Sequence, residues 1–566
     1  MPDDAAGLRR LDALIVGAGF AGMYQLHLLR DRLGLAVKAL EAGGGVGGTW
    51  YWNRYPGARC DSESHSYGYF FSKALLEEWE WTERYPEQPE ILRYLNHVAD
   101  RFDLRRDILL NARVASARYD SAANRWTVET EAGDRFEARW LVLCIGSLSA
   151  TNVPDIPGRD SFAGASYHTG DWPHGGVDFT GKRVGQIGTG STGIQAAPVI
   201  ARQAKHLTVF QRTANYSVPA RNVPLSPEFR RWFRTHHADV KAVVQDTPNG
   251  HPFRIQQRKV FDVPEDERQR IYEAAWEKGG LQFRASFQDI LADKSANDTA
   301  AEFIKAKIRQ VVKDPATAEA LADIDHPYAA KRPPIDTDYF ETFNRDNVTL
   351  VDLRKDPIER IAPDGVVTRS GLHPLDVIVF ATGFDAMTGP LFRIDIRGRD
   401  GIALRDAWRE GPRTYLGLMV VGFPNMFIAV GPGSPSVLVN LPVAIEQHVE
   451  WIADAIAHLR DRDIERMEPD PEAVDRWQAH IQEAANATLL PTVRHSWYVG
   501  ANIPGKPRVF MPYAGGMVRY RRLCAAVAAG GYEGFVLTGG GAPTARRSAP
   551  ERIRALVAAS AGGPGV

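Results

Sequence analysis

Twice in this chain a short apolar run leads into Gly-x-Gly-x-x-Gly and then into a helical stretch. No other feature restricts the fold as much. The first copy is "LDALIVGAGFAGMYQLHLLRDRLGLAVKALEAG". Residues 11–16 read as a buried parallel strand. Gly17, Gly19 and Gly22 follow, with Phe20 and Ala21 between them. The pattern predicts a helix over 23–32 and a second strand over 35–40, closed by Glu41. Gly17 permits a tight turn, Gly19 lets backbone approach a pyrophosphate, and Gly22 lets helix and strand pack closely. The helix N-terminus faces the phosphates, and the Glu41 carboxylate can accept hydrogen bonds from ribose hydroxyls.

The second copy, "KRVGQIGTGSTGIQAAPVIARQAKHLTVFQRTA", carries Gly188, Gly190 and Gly193 after a strand over 183–187. Ser191, Thr192 and Gln195 open its helix, expected over 191–202, and a strand over 206–210 follows. Where the first copy has Glu, this one has Gln211, Arg212 and Thr213. An acid there would repel a 2′-phosphate, whereas Arg212 would hold it, so this unit favours NADP(H). FAD at the first unit and NADP(H) at the second is the economical assignment, because a nicotinamide can then reduce a flavin. "LDVIVFATGFDA", a strand ending in Ala381-Thr382-Gly383, suits the return of the chain between two such units. The expected fold class is α/β, with two Rossmann-like domains.

Bulk properties remove several other classes. A chain of 566 residues is too long for one core and suggests about three or four domains. The net charge of −1 gives no electrostatic case for nucleic acid or an anionic membrane. The three cysteines, Cys60, Cys144 and Cys524, form no Cys-x-x-Cys, so no metal site is expected, and they fit a reducing cytoplasm. The N-terminus "MPDDAAGLRR" lacks the apolar core of a signal peptide, and the longest apolar run, 415–431, is interrupted by Gly, Pro and Asn.

Between the two units lies "FAGASYHTGDWP", with Phe162, Gly164, His168, Trp172 and Pro173 spaced Phe-x-Gly-x-x-x-His-x-x-x-Trp-Pro. Taken alone, such a His and Trp are a satisfied side chain and a packed aromatic. Upstream, "GGTWYWNRYPGARCD" supplies Gly47, Gly48, Trp50, Tyr55, Pro56, Gly57 and a terminal Asp61. Together, and placed about two glycine motifs, these stretches resemble the type I Baeyer–Villiger monooxygenases. The resemblance spans about residues 10–538 and is greatest to the phenylacetone and steroid monooxygenase branch, through "GPGSPSVLVNLPVAIEQHVEW".

The resemblance implies an NADPH- and O2-dependent flavoenzyme that inserts one oxygen beside a ketone carbonyl, through a C4a-peroxyflavin and a tetrahedral adduct. It makes Arg332 the active-site cation and Asp61 its carboxylate partner. Read without it, Lys331-Arg332 before two prolines is a surface turn. It also places Gly48, Thr49, Trp50, Asp61 and Tyr67 at the cofactors. Lys331 joins Arg212 and Thr213 at the 2′-phosphate, and Trp497 contacts the NADP ribose from a lid-like loop. His168 and Trp172 would couple domain movement to cofactor position. Pro435, Leu438 and Leu441 would line a pocket for a small apolar ketone.

The expected organisation is an FAD domain over 1–150 and 388–540, an NADP domain over 151–221 and 330–387, a helical insertion over 222–329 covering the NADP domain, and a flexible tail over 541–566. A flavin-dependent N- or S-oxygenating monooxygenase is the alternative, since it shares both glycine motifs. The physiological ketone and the oligomeric state are left open.

Overall fold

The computed structural model describes residues 8–539. Two sheets organise it, one behind each glycine motif. The first has eight strands and is mixed. Its centre is Leu8–Val16, flanked in parallel by Val37–Leu40 and Arg135–Leu143. Met426–Ile428 joins Arg135–Leu143 in parallel, and Val114–Asp120 and Arg125–Thr130 extend that side antiparallel. The central strand ends in Ala13, Leu14, Ile15 and Val16, all buried, so both faces of the sheet are covered at that end.

The second sheet has five strands, all parallel, in the order Val348–Asp352, His206–Gln211, Arg183–Ile187, Val377–Phe380, Ala165–His168. The strand before Ala381-Thr382-Gly383 therefore lies beside the strand that enters the second glycine motif, and the strand ending at His168 lies at the sheet edge. Two distant segments of chain complete this sheet.

Element limits differ from the sequence pattern by a few residues. The first helix starts at Phe20 rather than 23, because the third glycine already sits in its first turn. It runs to His27 and passes into a wider turn, Leu28–Arg32. The Leu35 N–H closes that turn on the Leu29 carbonyl (3.0 Å), which delays the second strand to Val37. The second helix, Ser191–Gln203, continues through Pro198.

Residues 222–329 contain the helices Pro227–Gln245, Glu265–Lys278, Lys294–Val311 and Pro315–Ala322. Ser226, Asp293 and Asp314 cap three of them by accepting backbone N–H groups at 3.2, 2.8 and 2.8 Å. Tyr272, Trp276, Phe283 and Phe303 share one core with Trp172, Ile194 and Leu207 of the second unit. The first helix departs from the expected cover. Its Phe233, Val240 and Val244 pack on Phe70 and Val443, away from the second sheet. An apolar stripe identifies a buried face but not its partner. The expected tail over 541–566 lies outside the described residues. Among those described, no helix is long and apolar enough to cross a membrane.

Candidate active site

The two glycine loops are built alike. A Cβ on Gly17 (φ +102°) would lie 2.5 Å from the Cys144 carbonyl oxygen, and one on Gly188 (φ +113°) 2.3 Å from that of Ala381. In both units the first glycine thus turns against the end of a neighbouring parallel strand, where no side chain fits. The third glycine packs on the first, since a Cβ on Gly22 or Gly193 would strike the carbonyl of Gly17 or Gly188. Gly190 and Ser191 are exposed at the mouth of the second helix.

At the first unit, a Cβ on Gly48 would sit 2.9 Å from the Gly19 Cα. The two loops offer adjoining bare backbone, which fits a pyrophosphate. Thr49, exposed, begins the short helix Thr49–Trp52. Trp50 donates its indole N–H to the Tyr67 hydroxyl (3.1 Å), and Phe20 packs edge-on to Tyr67. Ala21 is buried within the helix. Glu41 is buried and accepts the N–H groups of Ala18 (2.7 Å) and Gly43 (2.8 Å). Burial raises its carboxyl pKa, and those two N–H groups oppose the rise. A carboxylate has about four acceptor positions, so two remain for ribose hydroxyls.

At the second unit, Arg212 is exposed, Thr213 and Lys331 are half-buried, and the Thr213 carbonyl accepts the Thr189 hydroxyl (2.8 Å). Among the described residues neither Arg212 nor Lys331 has an ion pair. Burial lowers the Lys331 pKa, with Asp325 opposing and Arg212 adding to the fall. Two unpaired cations that feel each other fit a 2′-phosphate between them. Gln195 holds the two units together. Its amide accepts from the Tyr55 hydroxyl (2.7 Å) and donates to the Arg59 carbonyl (3.2 Å). It therefore ties the loop over 47–61 to the second helix.

Arg332 and Asp61, 271 residues apart, form a bidentate pair: Nε to Oδ2 at 2.7 Å and Nη2 to Oδ1 at 2.6 Å. Nη1 donates to the Val437 carbonyl at 2.9 Å. Each side chain keeps about a quarter of its surface accessible, 23% for Arg332 and 24% for Asp61. Burial would raise the Asp61 carboxyl, but the guanidinium holds it below its ordinary value. Burial works against the charge on Arg332, and Asp61 more than restores it. Pro333 restricts the Arg332 backbone to extended conformations, which helps aim the side chain.

Arg332 lines a crevice with His251, Arg284, Leu438, Leu490 and Tyr498. Leu438 is the residue of the expected apolar pocket that reaches it; Pro435 is buried and Leu441 opens the helix Leu441–Asp461. His251, Arg284, Tyr498 and the Val437 carbonyl carried no motif. They come from four separate stretches, and only packing brings them together. Tyr498 adjoins Trp497, so that loop was at least legible as a neighbourhood.

The His–Trp loop divides into two roles. Trp172 is 4% exposed and packs on Tyr167 and Phe179 at 5.5 and 6.2 Å, as a core aromatic does. His168 accepts the Gly170 N–H at Nδ1 (3.0 Å) and meets Phe384 edge-on at 6.1 Å. Its Nε2 is buried, near the backbone of Asn152 and Gly383. Burial lowers its pKa. Trp497 is half-buried, and its loop is fastened to the same segment. Asn502 donates to the Phe384 carbonyl (2.8 Å), and Lys506 to Asp385 (2.6 Å) and the Ala386 carbonyl (2.7 Å).

Comparison with known proteins bears on the family and the fold. Residues 14–268 match the pyridine nucleotide-disulphide oxidoreductase family model. A Baeyer–Villiger monooxygenase of Pseudooceanicola batsensis is 45% identical over 93% of this chain and 96% of its own length. Oxidised steroid monooxygenase bound to NADP superposes with a TM-score of 0.90 at 52% identity, covering 94% of this chain and 100% of that one. OTEMO in complex with FAD and NADP gives 0.90 at 44% identity, covering 93% and 99%. With two dinucleotide sites, the His–Trp loop and full-length similarity in agreement, the chain belongs to the Baeyer–Villiger monooxygenases, flavoenzymes that use FAD and NADP.

Proposed function

We propose that Arg332, held by Asp61, is the group on which oxygen insertion by this enzyme depends. As a member of its family the chain is an NADPH- and O2-dependent monooxygenase acting on ketones. Overall, ketone, O2, NADPH and a proton give ester or lactone, NADP+ and water. One oxygen atom enters the C–C bond beside the carbonyl, and the other leaves as water with the two electrons of NADPH. The bound flavin supplies the redox centre that links nicotinamide to oxygen. Everything else falls to the protein.

The observation that carries this reading is the bidentate Arg332–Asp61 pair, with Arg332 lining a crevice shared with Leu438 and Tyr498. A guanidinium has five N–H donors. Three are engaged, two by Asp61 and one by the Val437 carbonyl. Two remain, one on each terminal nitrogen, for an oxygen that gains negative charge during the reaction. Arginine suits this position because it keeps its proton when desolvated and stays planar. Asp61 aims the fork without neutralising those two donors. His251 cannot substitute as a cation, since burial first, and then Arg332 and Arg284, push its pKa down to about 3.

We assign the FAD pyrophosphate to Gly17, Gly19, Gly22 and Gly48, its ribose to Glu41, and the NADP 2′-phosphate to Arg212, Thr213 and Lys331. Gly188, Gly190, Ser191, Thr192 and Gly193 offer the second pyrophosphate a helix N-terminus. A cytoplasmic location belongs to this proposal and is supported by three free, buried thiols. The test is a panel of linear, aryl, small-ring and polycyclic ketones, with NADPH consumed compared against ester formed. One ester per NADPH is expected for at least one ketone. Oxygen transfer to amines or sulfides, with no ester from any ketone, would favour the N- or S-oxygenating alternative.

A further inference from the structure

The crevice at Arg332 holds a second guanidinium that no motif announced. Arg284 lies in the turn Gly280–Ser286, between the buried side chains of Phe283 and Ala285. It is only half-exposed, yet among the described residues it has neither a carboxylate nor a hydrogen-bond partner. Tyr328 and Tyr498, which face it, are neutral phenols, since burial raises both hydroxyl pKa values.

Charge in the crevice is therefore unbalanced. Asp61 acts on both arginines, and it is already bidentate to Arg332. His251 is neutral. Among the described residues, Arg284 is thus left without an ion-pair partner. Partly withdrawing an unpaired guanidinium from water is unfavourable. An anion that reaches it recovers that cost through charge-assisted hydrogen bonds, and bidentate geometry favours a carboxylate. Leu438 and Leu490 supply apolar wall beside it.

We propose that Arg284 recognises an anionic group on the substrate, so that this enzyme prefers ketones bearing a carboxylate, keto acids with an apolar spacer, over neutral ketones of equal length. The inference rests on the reading of Arg332 above and goes beyond the small apolar ketone expected from Pro435, Leu438 and Leu441.

The test compares 2-octanone, 7-oxooctanoate and the methyl ester of the latter with the FAD-loaded enzyme. The expected result is a higher kcat/KM for 7-oxooctanoate than for either neutral ketone. In Arg284→Gln that ratio falls by about tenfold or more, with Arg284→Lys between the two, and the KM for NADPH stays within about twofold. A ratio unchanged in Arg284→Gln overturns the proposal. So does a rise in the KM for NADPH in its place, which would assign the cation to a cofactor phosphate. Binding of octanoate and octanamide to the wild-type holoenzyme, followed by flavin absorbance, needs neither turnover nor a variant. Octanoate should bind about tenfold more tightly, and equal binding overturns the proposal. If neither these three nor any ketone of the wider panel yields ester while octanoate still binds preferentially, the oxygen-insertion reading fails and the anion site stands.

Discussion

At the scale of single residues, the proposed function assigns both cofactor choice and chemistry to fixed positive charge. Removing a preorganised donor from developing negative charge costs on the order of a hundred- to a thousandfold in rate. Arg332→Ala should therefore lose ester formation by about that factor while retaining FAD, measured by ester yield per NADPH and flavin content. Arg332→Lys should also fail, because an ammonium cannot hold Asp61 bidentately and keep planar donors free. Asp61→Ala should be milder, about tenfold, since the cation survives but is badly aimed. Normal ester yield from Arg332→Ala would mean that the wrong cation has been chosen. At the 2′-phosphate, Arg212→Ala should raise the KM for NADPH by about tenfold, with little change for NADH. Lys331→Ala should do more than Arg212→Ala, because Lys331 is half-buried and less screened by salt than the exposed Arg212. Steady-state kinetics with both nucleotides decides it. The role proposed for Arg212 can be read from its place after a strand. Those of Lys331 and Arg332 cannot, because a Lys-Arg before prolines is ordinary surface sequence.

At the scale of elements, one short segment after the strand Val377–Phe380 receives two loops. His168 stands against Phe384 from one side, while Asn502 and Lys506 grip Phe384, Asp385 and Ala386 from the other. Thr382 also donates its hydroxyl to the Asn152 carbonyl (2.6 Å), tying in the chain that leads to the His–Trp loop. The Lys506 side chain is 9% exposed and Asp385 32%, so this latch is partly shielded from solvent. Lys506→Ala should loosen the Trp497 loop and divert NADPH into peroxide, raising uncoupling by about twofold or more with FAD content unchanged. A peroxide assay beside ester yield checks this, and unchanged coupling would remove the lid reading. His168→Ala should act in the same direction. Since burial keeps His168 neutral, the pH profile of ester formation should keep its shape. Trp172→Ala is expected to differ in kind. It leaves a core cavity and should cost stability, about 3–5 kcal/mol, before it alters coupling. The His–Trp spacing identified the loop. It could not separate the packed Trp from the His that touches Phe384, because spacing carries no contact information.

At the scale of the molecule, pH should act through a buried carboxyl outside the Arg332 crevice. Glu446, on the helix Leu441–Asp461, is 7% exposed and accepts the Phe70 N–H at 2.6 Å. Burial first, and then Glu450, raise its pKa to about 7, with the Phe70 N–H and Lys241 opposing. A carboxyl raised in the folded state stabilises the fold below its unfolded value, and that stability is lost as pH climbs toward 7. Glu446→Gln mimics the protonated form and can still accept from Phe70. It should match the wild type near pH 4–5 and exceed it above pH 7, by up to about 3 kcal/mol. Thermal unfolding across that range checks the sign, and a variant less stable at high pH would refute it. The order of strand, glycines, helix and terminal acid or arginine already specified two nucleotide-binding units, because each rests on contacts within a few dozen residues. The partners of those units were not specified locally. Asp61 meets Arg332, Lys506 meets Asp385, and the helix Pro227–Gln245 lands on Phe70 and Val443 only because discontinuous segments return to complete each sheet. The pairing of Arg332 and the lack of a partner for Arg284 are likewise properties of the assembled crevice. Periodicity and spacing report which side chains face inward, but which charges meet there depends on how the two sheets and their connecting helices close on one another.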